Sequence, residues 1–175
     1  MKTAYTLMNS PVGTLTLVAG EHGLRAILWE NDRANRVPLG GMDRDDAHPL
    51  LVEADSQLRR YFAGELREFS LPLEFVGTEF QKSVWRELTA IPFGETRSYR
   101  DIATRIGNPK AVRAVGAANG KNPISIVAPC HRVIGSNGTL TGFAGGMKAK
   151  SYLLNLERGV GGGVDQGEFA PEFGR

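Results

Sequence analysis

The sequence predicts an α/β protein in two parts. A small N-terminal α/β domain with antiparallel strands occupies residues 1–76, and a mainly helical C-terminal domain containing a helix-turn-helix occupies residues 77–158. Three observations carry this prediction. Apolar residues alternate with period two before residue 30, the period of a half-buried strand, and recur at helical spacing further on. Clusters of Gly, Pro, Asn and Ser separate these segments. The length of 175 residues suits one ordinary domain or two small ones.

In the first part, Leu15, Leu17 and Ala19 alternate with Thr14, Thr16 and Val18, and a second apolar run, Leu24-Arg25-Ala26-Ile27-Leu28-Trp29, follows Gly20-Glu21-His22-Gly23. Two such runs around a Gly-bounded connection predict a β-hairpin. Residues 31–48 are polar and rich in Gly and Pro, and predict a long loop. Leu50, Leu51, Ala54, Leu58, Tyr61 and Phe62 then recur at helical spacing, with Gly64 as the stop. Residues 65–77, with Pro72 inside, read as a connector.

In the second part, Thr78 and Gln81 form a capping-box pattern ahead of Phe80, Val84, Trp85 and Leu88, and Pro92 and Gly94 stop that helix. Ser98 caps a short helix through Ile102, Ala103 and Ile106, broken by Gly107-Asn108-Pro109. A second helix is expected from Lys110 to about Asn119, which completes a helix-turn-helix pattern. Its Ala111, Ala114, Gly116, Ala117 and Ala118 make it thin, with Arg113 the one long side chain in its middle. Such a helix packs tightly on a neighbour or approaches a narrow surface such as the minor groove, roughly 6 Å wide. Ile124-Ser125-Ile126-Val127 predicts a short strand ended by Pro129. A turn at Gly135-Ser136-Asn137-Gly138, a Gly-containing loop at Phe143-Ala144-Gly145-Gly146 and a last helix through Leu153, Leu154, Leu156 and Glu157 follow. Residues 159–175, with Gly161-Gly162-Gly163, predict a disordered tail.

Composition narrows the class. Hydrophobic residues make up 41% and charged residues 23%, the balance of a soluble globular protein. No run approaches the roughly 18–20 apolar residues of a membrane span, and the N-terminus lacks the apolar core of a secretory signal. A single Cys cannot form an internal disulfide and fits a reducing, cytoplasmic home. One Cys and three scattered His match no zinc spacing, so no metal or other cofactor is expected. The net charge of +2 is small, but residues 94–121 hold Arg97, Arg100, Arg105, Lys110, Arg113 and Lys121 against Glu95 and Asp101. That local excess suits either a solvated helical face or a nucleic-acid footprint.

The chemistry points to Cys130. His131 follows it and can take the thiol proton if the backbone turns both side chains toward one site, and Arg132 raises the local potential. Adjacent residues on a strand point to opposite faces, so the pairing requires a turn or helix at Pro129-Cys130.

Pro129-Cys130-His131-Arg132-Val133-Ile134 resembles the active-site signature of the methylated-DNA–protein-cysteine methyltransferases, also called O(6)-alkylguanine-DNA alkyltransferases. Arg113-Ala114-Val115-Gly116, Asn119-Gly120, Asn122-Pro123, Gly142-Phe143-Ala144-Gly145-Gly146 and Leu153-Leu154 through Glu157 resemble that family's other blocks, in order. The resemblance is strong over residues 78–158 and looser before them. It implies direct reversal of DNA damage, with the alkyl group moved once and irreversibly from O(6)-alkylguanine in double-stranded DNA to Cys130 of a monomeric protein. His131 would be the base, acting through a water, and Glu157 would orient it. Asn122 would fix the turn beside the site, and Tyr99 would hydrogen-bond the leaving guanine. Val133, Phe143, Ala144 and Gly145 would wall the base pocket. Arg113 would fill the gap left by the flipped nucleotide, while Ala111, Ala114, Ala118, Asn119, Lys110 and Lys121 would lie along the minor groove. The family's zinc-bearing relatives carry N-terminal Cys and His ligands that this chain lacks. A Cys-His hydrolase and a non-catalytic helix-turn-helix module are the rival classes; turnover separates the first, and indifference to loss of Cys130 the second.

Overall fold

The computed structural model describes residues 3–138 and 142–159, so the expected tail from residue 160 onward lies outside the described residues. The chain divides into two compact units. The first runs to Val76 and includes Pro123–Ser125; the second comprises Gly77–Asn122 and the chain from Ile126 onward. Pro123–Ser125 cluster with the first unit, to which the Ile27 amide ties them by donating to Pro123 O.

The first unit is a four-stranded sheet in the order β3-β2-β1-β4, built from β1 (Thr3–Ser10), β2 (Gly13–Ala19), β3 (Leu24–Leu28) and β4 (Met42–Arg44). The expected hairpin is β2–β3, antiparallel with Leu17 opposite Ile27. β1 pairs antiparallel with β2 through a tight turn at Ser10–Gly13, and β4 pairs parallel with β1. Neither β1 nor β4 stands out in the sequence. Thr3 and Thr6 are buried on β1 while Leu7 is exposed, which erases the alternation, and β4 is three residues inside a Gly-rich loop. Gly23 closes the hairpin where a Cβ would meet the Pro72 carbonyl oxygen at 2.7 Å. That close approach lets the Leu24 amide donate to Pro72 O at 2.8 Å and the Glu74 amide to Leu24 O at 2.9 Å, tying the connector to the sheet.

Helix α1 (Pro49–Phe62) starts with Pro where no amide is needed, and His48 Nδ1 accepts the Leu50 amide at 3.2 Å. Its buried Leu51, Ala54, Leu58 and Tyr61 lie on one stripe, and the helix packs on β1, β2 and β3. Each large apolar side chain so buried contributes about 1.5–3 kcal/mol. The exposed Arg59–Asp55 pair contributes about 1 kcal/mol at most, so the apolar stripe decides how this helix docks.

The second unit opens with α2 (Glu79–Thr89), whose Thr78–Gln81 capping box is fully formed. Strand β5 (Arg97–Ser98) leads into α3 (Tyr99–Arg105), capped by Ser98 and Asp101. Helix α4 (Val112–Gly120) begins two residues later than the sequence suggests, leaving Lys110 in the preceding turn. Val84, Trp85 and Leu88 of α2 are buried against this helix pair, and Trp85 Nε1 donates to Ala118 O at 2.9 Å. A two-residue strand β6 (Val133–Ile134) pairs parallel with β5, and α5 (Met147–Glu157) closes the unit.

The strand expected at residues 124–127 is absent. Ile124 forms one parallel bridge to Ile27, with the Ile27 amide donating to Pro123 O at 2.9 Å, and Trp29 Nε1 donates to Ser125 Oγ at 3.2 Å. The backbone then turns, with Ile126 at φ 75°, a conformation that is costly for a β-branched residue. The apolar character of this segment serves burial: residues 122–133 are all buried.

Candidate active site around Cys130

Cys130 begins a single turn of 3₁₀ helix, Cys130–Arg132, rather than ending a strand. Pro129 sets its start, the Cys130 amide donates to Ala128 O at 2.8 Å and the Arg132 amide to Pro129 O at 2.9 Å. Three residues per turn separate successive side chains by about 120°, not the 180° of a strand. Cys130 and His131 therefore lie on a turn rather than on opposite faces of a strand. Asn122 Nδ2 donates to the same Ala128 carbonyl at 2.7 Å, bracing the turn from the far end of the buried segment.

Cys130 is 3% exposed and His131 is fully buried. His131 Nε2 lies 2.7 Å from Glu157 Oε2, at the last residue of α5. Arg132 grips the same carboxylate from the other side, Nε to Oε1 at 2.7 Å and Nη2 to Oε2 at 2.9 Å, and its Nη1 donates to Ile91 O at 2.6 Å. Burial pushes the Glu157 carboxyl up, but the imidazole and guanidinium together outweigh it and hold the group well below the usual carboxylate range. Glu157 is thus an anion at a helix C-terminus, where the helix dipole opposes it; the fork from Arg132 offsets that cost.

An ionised carboxylate only accepts hydrogen bonds, so His131 Nε2 carries a proton and donates it. Burial is the main cause that pulls the His131 pKa below its ordinary value; Glu157 opposes this, and Arg132 and Lys150 add to it. The imidazole is therefore neutral near pH 7, and Nδ1 is the basic nitrogen. Nδ1 is buried and has no hydrogen-bond partner among the described residues. A neutral base with an open nitrogen, next in sequence to a buried thiol, can accept that thiol's proton.

Other expected site residues fall into two groups. Val133 is fully buried after the 3₁₀ turn, and its carbonyl accepts Lys150 Nζ at 2.7 Å. Phe143, Ala144 and Gly145 are half-buried ahead of α5; Phe143 O accepts the Gly146 amide at 2.9 Å, and Gly146 takes φ 90° at the helix N-cap. Tyr99 is half-buried at the first position of α3, and a Cβ on Gly116 of α4 would lie 3.9 Å from its ring.

Along α4, Arg113, Ala114 and Ala117 are exposed and Ala111 is half-buried just before the helix. Ala118 and Asn119, expected on the outer face, point inward at 3% and 5% exposure. Ala and Gly occupy both faces of α4, so its sequence does not mark which face is outer. Among the basic residues, Arg97 pairs with Glu95 and Arg105 lies 3.7 Å from Glu87. Arg100, Lys110, Arg113 and Lys121 are exposed and make no ion pair among the described residues.

Two contributors differ from the sequence expectation. Arg132 is there a source of potential, whereas here it is the clamp on Glu157. Lys150 is fully buried on α5. Its only sequence signal is position, since it stands on the stripe of Leu153, Leu154 and Glu157 at helical spacing.

Known proteins agree with this geometry. Residues 79–159 match the family model for the 6-O-methylguanine DNA methyltransferase DNA-binding domain, and residues 3–75 match that for its ribonuclease-like domain. A methylated-DNA–protein-cysteine methyltransferase of Methanosarcina acetivorans is 49% identical over 154 residues, 87% of this chain and 97% of that protein. The constitutive one of Bacillus subtilis is 47% identical over 156 residues, 88% and 94% of the two chains. A crystal structure of Mycobacterium tuberculosis OGT in complex with DNA superposes with a TM-score of 0.80 at 45% identity, covering 91% of this chain and 94% of that one. With both halves matched and the Cys130–His131–Glu157 cluster in the second, the chain belongs to the 6-O-methylguanine DNA methyltransferase family.

Proposed function

We propose that the protein repairs alkylated DNA by binding the duplex, rotating an O(6)-alkylguanine out of the stack and transferring the alkyl group irreversibly to Cys130. The observation that carries this reading is His131, bound through Nε2 to an ionised Glu157, with Nδ1 open and the buried Cys130 thiol next in sequence.

The steps follow from these groups. The Cys130 proton passes through a water to His131 Nδ1, and Glu157 and its Arg132 clamp stabilise the imidazolium. The thiolate attacks the alkyl carbon in line, a C–S bond forms, and the bond from that carbon to the guanine oxygen breaks. The electron pair leaves on guanine, which receives a hydrogen bond from Tyr99 and takes up through water the proton that His131 had accepted, so charge balances. A thioether does not release its alkyl group to water or to a neutral imidazole, which supports one reaction per molecule.

The alkylated oxygen is stacked in a duplex, and rotating its nucleotide out costs a few kcal/mol. Arg113, exposed on a helix of small residues, suits the role of filling the gap, and Arg100, Lys110 and Lys121 suit phosphate contacts beside it. The test is stoichiometry. With methylated duplex in large excess, restored guanine should level off at one per chain. Several per chain would mean hydrolytic turnover and contradict the reading.

A further inference from the structure

We propose that Asn119 is a specificity-determining residue of the base pocket, its side-chain oxygen accepting a hydrogen bond from the exocyclic amine of the flipped guanine. This rests on the reading that the alkylated base enters a pocket beside Cys130, and the test below separates the two.

The starting observation is an unmet acceptor. Asn119 is 5% exposed, and its Oδ1 is buried with no hydrogen-bond partner among the described residues. Buried polar atoms are nearly always paired, because an open one forfeits its hydration without replacement. Among the described residues one other buried side-chain atom stands open in this way. It is His131 Nδ1, the proton acceptor of the proposed reaction.

The place of Asn119 in the fold points to the same site. Gly116 stands one turn earlier on α4, and a Cβ there would lie 3.9 Å from the Tyr99 ring. Residues three apart share a helix face, so Asn119 lies on the side of α4 that meets Tyr99. The Asn119 carbonyl accepts the Asn122 amide at 3.2 Å. Asn122 Nδ2 in turn donates to Ala128 O, which also accepts the Cys130 amide. Asn119 thus links the residue that would hold the leaving guanine to the turn that carries the nucleophile.

The chemistry of the ligand calls for an acceptor. An O(6)-alkylguanine nucleotide has no proton on N1, N3 or N7, so its N2 amine is the one N–H donor of the base. An amide oxygen accepts from that amine without adding a second negative charge near the forming thiolate. The sequence expectation puts Asn119 on the groove surface, since the small residues of α4 mark no inner face. Its burial moves it from the groove to the base.

Single-turnover transfer from O(6)-methylguanine and from O(6)-methylhypoxanthine, which lacks only the amine, is compared in the same duplex. The unsubstituted protein should react about tenfold faster with the guanine, the scale of one net hydrogen bond. Asn119→Leu, similar in size and without the acceptor, should react at nearly equal rates with the two bases. Any effect of the missing amine on pairing in the duplex is common to both proteins and cancels in the ratio. Should that variant fail to fold, Cys130→Ser protein carrying nitrogen-15 asparagine gives a second readout. Its Asn119 side-chain NMR signals should shift with free O(6)-methylguanine and much less with the hypoxanthine. Equal rates in the unsubstituted protein, an undiminished preference in folded Asn119→Leu, or equal shifts with the two bases would overturn the proposal. Transfer from neither base would contradict the alkyl-transfer reading, while the NMR shifts would still decide this assignment.

Discussion

The two units each contain a buried arginine that grips a carboxylate with two bonds, and they use it differently. In the first, Arg36 donates from Nε and Nη2 to Asp32 Oδ1 and Oδ2 at 2.7 and 2.8 Å. In the second, Arg132 does the same to Glu157 at 2.7 and 2.9 Å. The side chains are similarly buried, 3% and 11% exposed for the first pair and 7% and 1% for the second. What differs is the third partner. Asp32 Oδ2 accepts the backbone amide of Trp29 at 3.2 Å, within one loop after β3. Glu157 Oε2 accepts His131, which joins two segments far apart in the chain. A charge-assisted fork is thus a brace when its spare lone pair meets an amide and, in the proposed mechanism, part of a proton relay when it meets an imidazole.

The largest consequence concerns the paired amides. Glu157→Gln keeps the shape of the side chain but weakens support for a charged imidazole, and should slow alkyl transfer by about a hundredfold. Asp32→Asn should cost stability of about 3 kcal/mol, the scale for breaking a buried pair, and leave the single-turnover rate of folded protein unchanged. Chemical denaturation and single-turnover kinetics on both variants check this. Equal rates, or equal slowing, would erase the distinction between brace and relay.

A smaller effect separates the buried cluster from the exposed helix pair. Arg113→Ala should lower the repair rate on duplex DNA about tenfold for each 1.4 kcal/mol of lost compensation for the flipped state. Initial affinity should change little, and reaction with free alkylated guanine should be nearly normal, since no extrusion is needed. Equal loss on duplex and free base would return Arg113 to a structural role. A uniform loss of affinity with a shallower salt dependence would make it an ordinary phosphate contact.

The smallest effect is in pH. His131 titrates lower in the folded protein than its ordinary value of 6.5, and Glu157 lower than 4.5. Below pH 6.5 the unfolded chain binds a proton at His131 that the folded protein resists, and below 4.5 another at Glu157. Stability should therefore fall as pH falls, by at most about 1.4 kcal/mol per pH unit for each group. Lys150 acts at the other end: its folded pKa lies below the ordinary 10.5, so stability should rise between about pH 8 and 10.5. Melting temperatures across this range check both signs, and a profile flat on the acid side would contradict the buried neutral imidazole.

Much of the second unit is legible in the sequence because its signals are local. The Thr78–Gln81 box, the Ser98 cap and the Pro129-Cys130-His131-Arg132 string each act within a few residues. What is not legible depends on partners far along the chain. Residues 124–127 have the composition of a strand, but only Ile124 finds a bridge, and Ile126 turns left-handed instead. Thr3 and Thr6 hide β1 by occupying buried positions with polar side chains. Arg132 reads as a local charge until Glu157, 25 residues on, is brought against it. Lys150 reads as a surface lysine until its Nζ meets Val133 O. Asn119 and Ala118 turn inward on a helix whose small residues give no amphipathic signal.

The central claim, that Cys130 is the acceptor, is tested most directly by intact mass measurement after incubation with a methylated-guanine duplex, followed by peptide mapping. One added methyl group per chain, located on Cys130 and absent from a folded, DNA-binding Cys130→Ser variant, is the predicted result. A protein that restores guanine while its mass is unchanged, or that carries the methyl group on another residue, would contradict the account.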